Sequence, residues 1–456
     1  MESQRQRGHV VVLTYPAQGH INPLLQFAKR LAFKGLKATL ATTPYTINSI
    51  RADTVGIEAI SDGFDQGGFE HAPSADDYLE SFKTVGSRTL AELILKFKDS
   101  ASPVDCLVYD SQLPWGLDVA KKLGIRVAAF ITGSAALSSI LWHVHCGALT
   151  VPVNPEALPV SLPGLPPLGF SELPTSLVNP SGMAAYLTPL IEQISTLDQH
   201  EWVFANTFEE LESELAKAMS RIWRVLMVGP MLPSAYLDQQ IEGDTCYGAS
   251  LWKSTDDQCS RWLETKSPNS VIYVSFGSMG EVADKQVDEV AWGLKASNKN
   301  FLWVVKESER GKLPVKFVGS IGGMGLVVTW CDQLKVLAHQ AVGCFITHCG
   351  WNSTLEGLSL GVPMVGMPQR VDQPTNAKFV EVWNVGMRAK RDEEGIVSRE
   401  ELEMCIREVM DGERSEDIKR NAFNWRELAM RAVSTGGSSD NIINKFVEVL
   451  REGRQN

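Results

Sequence analysis

VGCFITHCGWNSTLEGLSLGVPMVGMP, residues 342–368, reads as strand, turn, helix, strand, and that order decides the fold class. The apolar, β-rich run ends at Thr347 and a tight turn follows. A helix is predicted to start near Asn352 or Ser353. It stops at Gly361, which suits the left-handed position just past a helix end. VVVLTYPAQGHINPLL (10–25) repeats the plan: strand, loop bearing Gly and His, helix. There Asn22 reads as the N-cap, Pro23 as the first helical turn and Gly35 as the stop. Such alternation implies α/β architecture with parallel, doubly wound sheets, whose ligands sit at the carboxyl ends of strands.

Working outward, the first half adds strands at KATLAT (37–42), CLVYD (106–110) and VAAFIT (127–132), each followed by a helical pattern. Residues 152–174 carry too many prolines for a helix or a central strand and read as an ordered loop. WVFANTFEELE (202–212) restores strand and helix and closes the first domain in this reading. The second half starts afresh with SVIYVSFGS (270–278), then FLWVV (301–305) and GLVVTW (325–330). A chain of 456 residues also exceeds what one hydrophobic core serves, so two domains are expected.

The bulk numbers exclude several functions. Net charge is −11 without a basic run, which argues against nucleic acid as a partner. The eight cysteines are scattered without a CxxC pair, and the run Val10–Tyr15 is too short for a signal peptide, so reduced thiols in the cytoplasm are expected. Residues 127–151 lack Asp, Glu, Lys and Arg, but two His and several Ser, Thr and Gly leave them only mildly apolar. They read as a buried strand and a core helix, and no membrane insertion is expected.

The chemistry concentrates in a few places. The helix after Thr347 presents N–H groups and a positive dipole end suited to an anion, with His348, Asn352 and Ser353 as further donors. Ser353 and Glu356 also fit an S-x-x-E capping box, which needs no ligand. GLSLG (357–361) matches a nucleophile elbow in letters, but it lies at a helix end rather than between strand and helix, so a hydrolase is rejected. His20 follows the first strand in a loop. A general base wants a carboxylate to orient it, and Asp110, at the end of CLVYD, is placed to serve or merely to cap the next helix. No HExxH, P-loop or Asp-x-Asp occurs, so no metal is expected.

From Trp330 to Gln373 the chain reads WCDQLKVLAHQAVGCFITHCGWNSTLEGLSLGVPMVGMPQRVDQ. This closely resembles the C-terminal signature of plant family 1 UDP-glycosyltransferases, and PAQGHINPLLQFAKRL and GGSSDN (436–441) extend the likeness over nearly the whole chain. The resemblance implies a GT-B fold, two facing Rossmann-like domains with an interdomain cleft. On that basis residues 1–235 hold the acceptor, 236–254 form a linker, 255–437 hold the UDP-sugar, and the helix 438–456 packs back on the first domain. It implies an inverting, metal-independent transfer of glucose from UDP-glucose, a co-substrate with no other cofactor, to a hydroxyl or carboxyl of a small lipophilic metabolite by a monomer.

By position, His20 would be the base and Asp110 its partner. Trp330 would stack on uracil, with the backbone of Cys331 on the base edge. Gln333 and Glu356 would contact ribose. His348, Asn352, Ser353 and Ser278 would bind the diphosphate, with Gly350 permitting close approach. Trp351, Asp372, Gln373 and Thr132 would surround the sugar. Residues 134–146, including Trp142, and the proline-rich loop would shape the acceptor pocket.

Three positions depart from the family pattern. Asp332 replaces a frequent Pro and is expected only to loosen its turn. Arg370 and Val371 replace a Trp and a small residue. The guanidinium of Arg370 could pair with the carboxylate of a donor such as UDP-glucuronate, or it could point to solvent. The rival functions are a silent carrier of UDP-sugars or lipophiles and an epimerase acting on the donor alone.

Overall fold

The computed structural model describes residues 8–180, 184–220, 225–249, 255–278, 280 and 282–452. The chain forms two compact units: Met1–Pro167 with Ser176–Leu251 and Met430–Asn456, and Leu168–Thr175 with Trp252–Ala429.

The first unit is built on β1 (His9–Leu13), β2 (Lys37–Thr42), β3 (Gly56–Ala59), β4 (Cys106–Asp110), β5 (Arg126–Ile131), β6 (Trp202–Ala205) and β7 (Val225–Met227). The sheet order is β3-β2-β1-β4-β5-β6-β7, and every pairing is parallel. β1 and β4 are buried along their whole length, which is why they read as continuous apolar runs. The core packs Phe27, Phe130, Phe204 and Phe446 among aliphatic side chains. Phe446 comes from the helix Ser438–Glu452, so the chain end covers this sheet. Each such buried side chain contributes about 1.5–3 kcal/mol.

The second unit holds β8 (Val271–Ser275), β9 (Asn300–Val304), β10 (Gly325–Val328), β11 (Val342–Thr347), β12 (Met364–Gly366) and β13 (Gly386–Arg388), in the order β10-β9-β8-β11-β12-β13. It too is wholly parallel. In both sheets the order reverses at one point, between β1 and β4 and between β8 and β11. Those reversals open the crevices where α/β sheets bind ligands.

Several local expectations need correction. The helix after β1 runs Gln18–Phe33 with Ala17 as its N-cap, so Asn22 and Pro23 lie inside it and His20 stands in its first turn. The amides of His20 and Ile21 both reach Ala17 O at 2.9 Å, starting the helix at Gln18, well before Pro23. Strands β3, β7 and β13, each three or four residues long, went unpredicted. Residues 236–249 of the expected linker pack into the first unit. Asp244 bonds Lys29 Nζ at 2.7 Å and Asp238 bonds Arg30 Nη1 at 2.9 Å, all four side chains being almost wholly enclosed. Residues 250–254 of that linker lie outside the described residues. Residues 168–174 of the proline-rich loop, with Thr175, belong to the second unit.

Candidate active site

At the first unit's switch point, three strand ends converge on one imidazole. His20 Nδ1 lies 2.7 Å from Asp110 Oδ2 and 3.1 Å from Thr132 Oγ1. Asp110 ends β4, the strand beside β1, and Thr132 follows β5, the next strand beyond it. Asp110 is fully buried; its carboxylate also accepts from the amides of Gln112 (3.1 Å) and Tyr15 (3.3 Å). It does not cap the following helix, which begins at Trp115 after Pro114. The carboxylate fixes the tautomer, with the proton on Nδ1 and the basic lone pair on Nε2. Thr132, which the resemblance places beside the sugar, also bonds this ring. The Tyr15 ring lies 5.3 Å from that of His20 and joins an aromatic group with Tyr78, Phe82 and Trp115.

The second unit's switch point gathers the signature residues. Gly350 is the N-cap of the helix Trp351–Leu360, so Ser353 is its third residue and not a cap. The capping-box alternative therefore falls. The Ser353 hydroxyl and the Glu356 carboxylate instead accept from Gln333 Nε2, at 2.9 and 2.5 Å. Gln333 Oε1 accepts from the buried Tyr273 hydroxyl at 3.2 Å. Sequence reasoning missed Tyr273, whose setting inside VIYVS looks purely structural.

Trp330 and Cys331 sit in the loop between β10 and the helix Gln333–Leu337. Thr255 holds this loop, its amide and hydroxyl both donating to Trp330 O, at 3.1 and 2.7 Å. Asp256 Oδ1 accepts from the Asp332 amide at 2.7 Å. Asp332 does not loosen the turn: its side chain accepts from Lys335 N at 3.2 Å and caps the helix. Burial pushes the Asp332 carboxyl up.

Between β11 and its helix, Cys349 adopts φ +60, a conformation L-residues enter at a cost, and its amide donates to Thr347 Oγ1 at 3.1 Å. The helix then leads with the amides of Trp351, Asn352 and Ser353, which have no intrahelical acceptor. The Trp351 side chain is buried, its ring 6.5 Å from that of Trp383. The His348 ring is wedged between two glycines. A Cβ on Gly277 would lie 2.7 Å from its Nε2, and one on Gly350 only 2.5 Å. Burial, with the charge of Arg370 second, pushes His348 down to about 4, so its imidazole is neutral at physiological pH. Ser278 follows Gly277, and its carbonyl accepts from Lys306 Nζ at 3.4 Å.

Gln373 Oε1 accepts from the amides of Gln369 (2.9 Å) and Arg370 (3.1 Å), which leaves the amide group of that side chain as a donor. Asn376 Nδ2 joins Asp372 Oδ2 (2.8 Å) to Cys349 O (3.0 Å), tying this loop to the turn after β11. Among the described residues no group of three or more His, Cys, Asp or Glu could hold a metal ion. No helix among them is long and apolar enough to cross a membrane.

Comparison with known proteins accords with this geometry. A family model described as UDP-glucoronosyl and UDP-glucosyl transferase matches residues 5–427. The chain is 49% identical to UDP-glycosyltransferase 74B1 of Arabidopsis thaliana, over 97% of this chain and 98% of that protein. It is 46% identical to a mogroside I-E synthase of Siraitia grosvenorii, over 97% and 98%. Among solved structures, Os79 from O. sativa in complex with UDP superposes with a TM-score of 0.92 at 41% identity, covering 97% of this chain and 100% of that one.

Proposed function

Since the chain belongs to the UDP-glucoronosyl and UDP-glucosyl transferase family, we propose that it moves glucose from UDP-glucose to a hydroxyl or carboxyl of a small lipophilic plant metabolite, inverting the anomeric carbon without a metal. The observation that carries the chemical part is the 2.7 Å contact between His20 Nδ1 and the buried Asp110 carboxylate. A carrier has no use for an oriented base.

In this reading, His20 Nε2 takes the proton of the acceptor hydroxyl. The resulting oxygen bonds to the anomeric carbon as the bond from that carbon to the diphosphate oxygen breaks, and UDP leaves with the electron pair. Asp110 balances the imidazolium that forms. The growing charge on the diphosphate is met by helix amides, the Ser353 hydroxyl, Asn352, Ser278 and the neutral His348. Trp330 stacks on uracil and the Cys331 backbone meets its edge, while Gln333 and Glu356 hold the ribose. Asp372 and Gln373 contact the glucose. Thr132 steadies the base. The helix Ala135–His145, with half-buried Trp142, offers acceptor-binding surface. We place the enzyme in the cytoplasm as a monomer that needs no further cofactor.

A second donor, UDP-glucuronate, would need Arg370 to pair with its carboxylate, whereas the exposed position of Arg370 favours the solvent-facing alternative. The test is incubation with UDP-glucose, UDP-glucuronate or UDP-xylose and a mixed panel of aglycones, read by mass spectrometry. Glucosides from the UDP-glucose arm are expected. UDP binding without product from any donor would make the protein a carrier, and donor turnover without an aglycone would make it an epimerase. His20→Ala should cut transfer to hydroxyl acceptors by orders of magnitude and to carboxylates, already ionised near neutral pH, far less.

A further inference from the structure

The loop Gln369–Gln373 carries the two residues assigned above to the glucose. Its internal bonds run from the Gln369 and Arg370 amides to Gln373 Oε1 and from the Gln373 amide to Arg370 O (3.2 Å), and none of them holds the Val371 backbone. Val371 stands at φ +57. For a β-branched residue this is a true outlier, and such conformations persist only where their surroundings over-determine them. What holds it comes from a distant stretch of sequence. The Val371 amide donates to Thr175 Oγ1 at 2.8 Å, and Val371 O accepts from the Thr175 amide at 3.0 Å.

Thr175 is itself anchored. It ends the segment Leu168–Thr175, which packs within the second unit. Glu172 O accepts from Thr375 Oγ1 at 2.7 Å, and Glu172 Oε1 takes Arg388 Nη2 at 3.1 Å and Lys378 Nζ at 3.2 Å. Glu172 Oε2 accepts from the Gly169 amide at 2.7 Å, which closes the segment on itself. Arg388 Nη1 also donates to Ser171 O at 3.0 Å. Every one of these partners sits on β13 or on the helix Gln373–Val382 that starts at the sugar loop, or within the segment itself.

We propose that Thr175 is a positioning residue for donor-sugar recognition, its hydroxyl holding Val371 in the left-handed conformation that aims Asp372 and Gln373. The inference rests on the reading that these two residues contact the glucose. Without the hydroxyl, the Val371 amide loses its acceptor and the backbone relaxes toward the extended region. The proposed nucleotide contacts lie on the Trp330 loop, at Ser278 and on the helix after β11, and none of them is bonded to Val371 or Thr175. The effect should therefore fall on the sugar and spare UDP.

The experiment compares Thr175→Val, Thr175→Ser and Gln373→Ala with the unaltered enzyme. It measures UDP affinity by calorimetry, KM and kcat for UDP-glucose, and the ratio of turnover with UDP-glucose to UDP-galactose. For Thr175→Val, UDP affinity should stay within about twofold while KM for UDP-glucose rises roughly tenfold, the worth of one hydrogen bond whose loss leaves an amide without its acceptor. The glucose-to-galactose ratio should fall, and Thr175→Ser should restore both values.

An unchanged KM in Thr175→Val, with a raised KM in Gln373→Ala, overturns the proposal and leaves the sugar assignment standing. An unchanged KM in Gln373→Ala removes that assignment, and the proposal with it. Equal loss of UDP and UDP-glucose affinity, or no rescue by Ser, reduces Thr175 to a structural role and also overturns it.

Discussion

Asp110→Asn isolates the charge of the proposed catalytic pair while keeping its shape. The substitution retains one oxygen, which can still accept from Gln112 N, but puts an amide or a neutral carbonyl opposite His20 Nδ1 in place of a carboxylate 2.7 Å away. Two consequences follow. The ring no longer has a fixed tautomer, so a fraction of molecules carry the proton on Nε2 and cannot act as base. The imidazolium that forms during transfer also loses its counter-charge. Two unit charges about 4 Å apart attract by about 4 kcal/mol at an effective dielectric near 20. The Asp110 side chain is wholly buried and that of His20 is 22% exposed, so solvent trims this to roughly 3 kcal/mol. At 1.36 kcal/mol per tenfold, kcat with a hydroxyl acceptor should fall by about two orders of magnitude. Steady-state turnover with a phenolic acceptor, a carboxylic acid acceptor and UDP calorimetry together form the assay. Transfer to the carboxylate should fall far less, and UDP affinity should not move. A kcat on the hydroxyl acceptor within about threefold of the unaltered enzyme would refute the assignment of His20 as base.

The neutral state of His348 makes a pH prediction. With its imidazole held down to about 4, KM for UDP-glucose should be flat between about pH 5.5 and 8, and a rise in KM through the ordinary histidine range near 6.5 would contradict it. Linkage has the same sign. The unfolded chain takes up a proton near 6.5 that the folded site refuses until about 4, so this contribution is full above 6.5 and is lost as pH falls toward 4, by roughly 3 kcal/mol. Val371→Asn should raise the unfolding midpoint in a thermal melt, since Asn tolerates φ +57 better by about 1 kcal/mol. A lower midpoint would mean that the valine side chain contributes more packing than its backbone costs.

Long apolar strands were legible in the sequence because burial on both faces writes a continuous hydrophobic run, as in VVVLTY and VGCFIT. The three short strands left no such run. The start of the first helix was misplaced because Asn22-Pro23 carries the usual signature of a helix beginning, whereas the chain tolerates that proline inside the helix. The signature residues were legible as a group, but their supports were not. Thr255, Asp256, Tyr273 and Asn376 act through backbone carbonyls, amides and other side chains, and nothing in their local sequence distinguishes them from ordinary strand or helix residues. Thr175 is an extreme case: 196 residues separate it from Val371.

The likeness between VVVLTYPAQGHINPLL and VGCFITHCGWNSTLEG is real as a pattern but pairs strands that are not equivalent. In sheet order β1 corresponds to β8, and β11 to β4. His348 thus occupies the place that Asp110 holds in the first unit, not the place of His20. This matters for the chemistry, because the two histidines are given opposite tasks by their surroundings. His20 faces a buried carboxylate and is equipped to become cationic during the reaction. His348 is desolvated between Gly277 and Gly350 and depressed further by Arg370, so in the proposed mechanism it stays neutral while the diphosphate leaves. A cationic His348 would bind UDP-glucose and UDP more tightly alike, deepening the ground state and slowing product release. A neutral donor fixed in place helps most when charge grows on the bridging oxygen. On the proposed roles, the two switch points share one topology and differ in their electrostatics: a counter-charge where a proton is to be taken up, and none where a charged group is to depart.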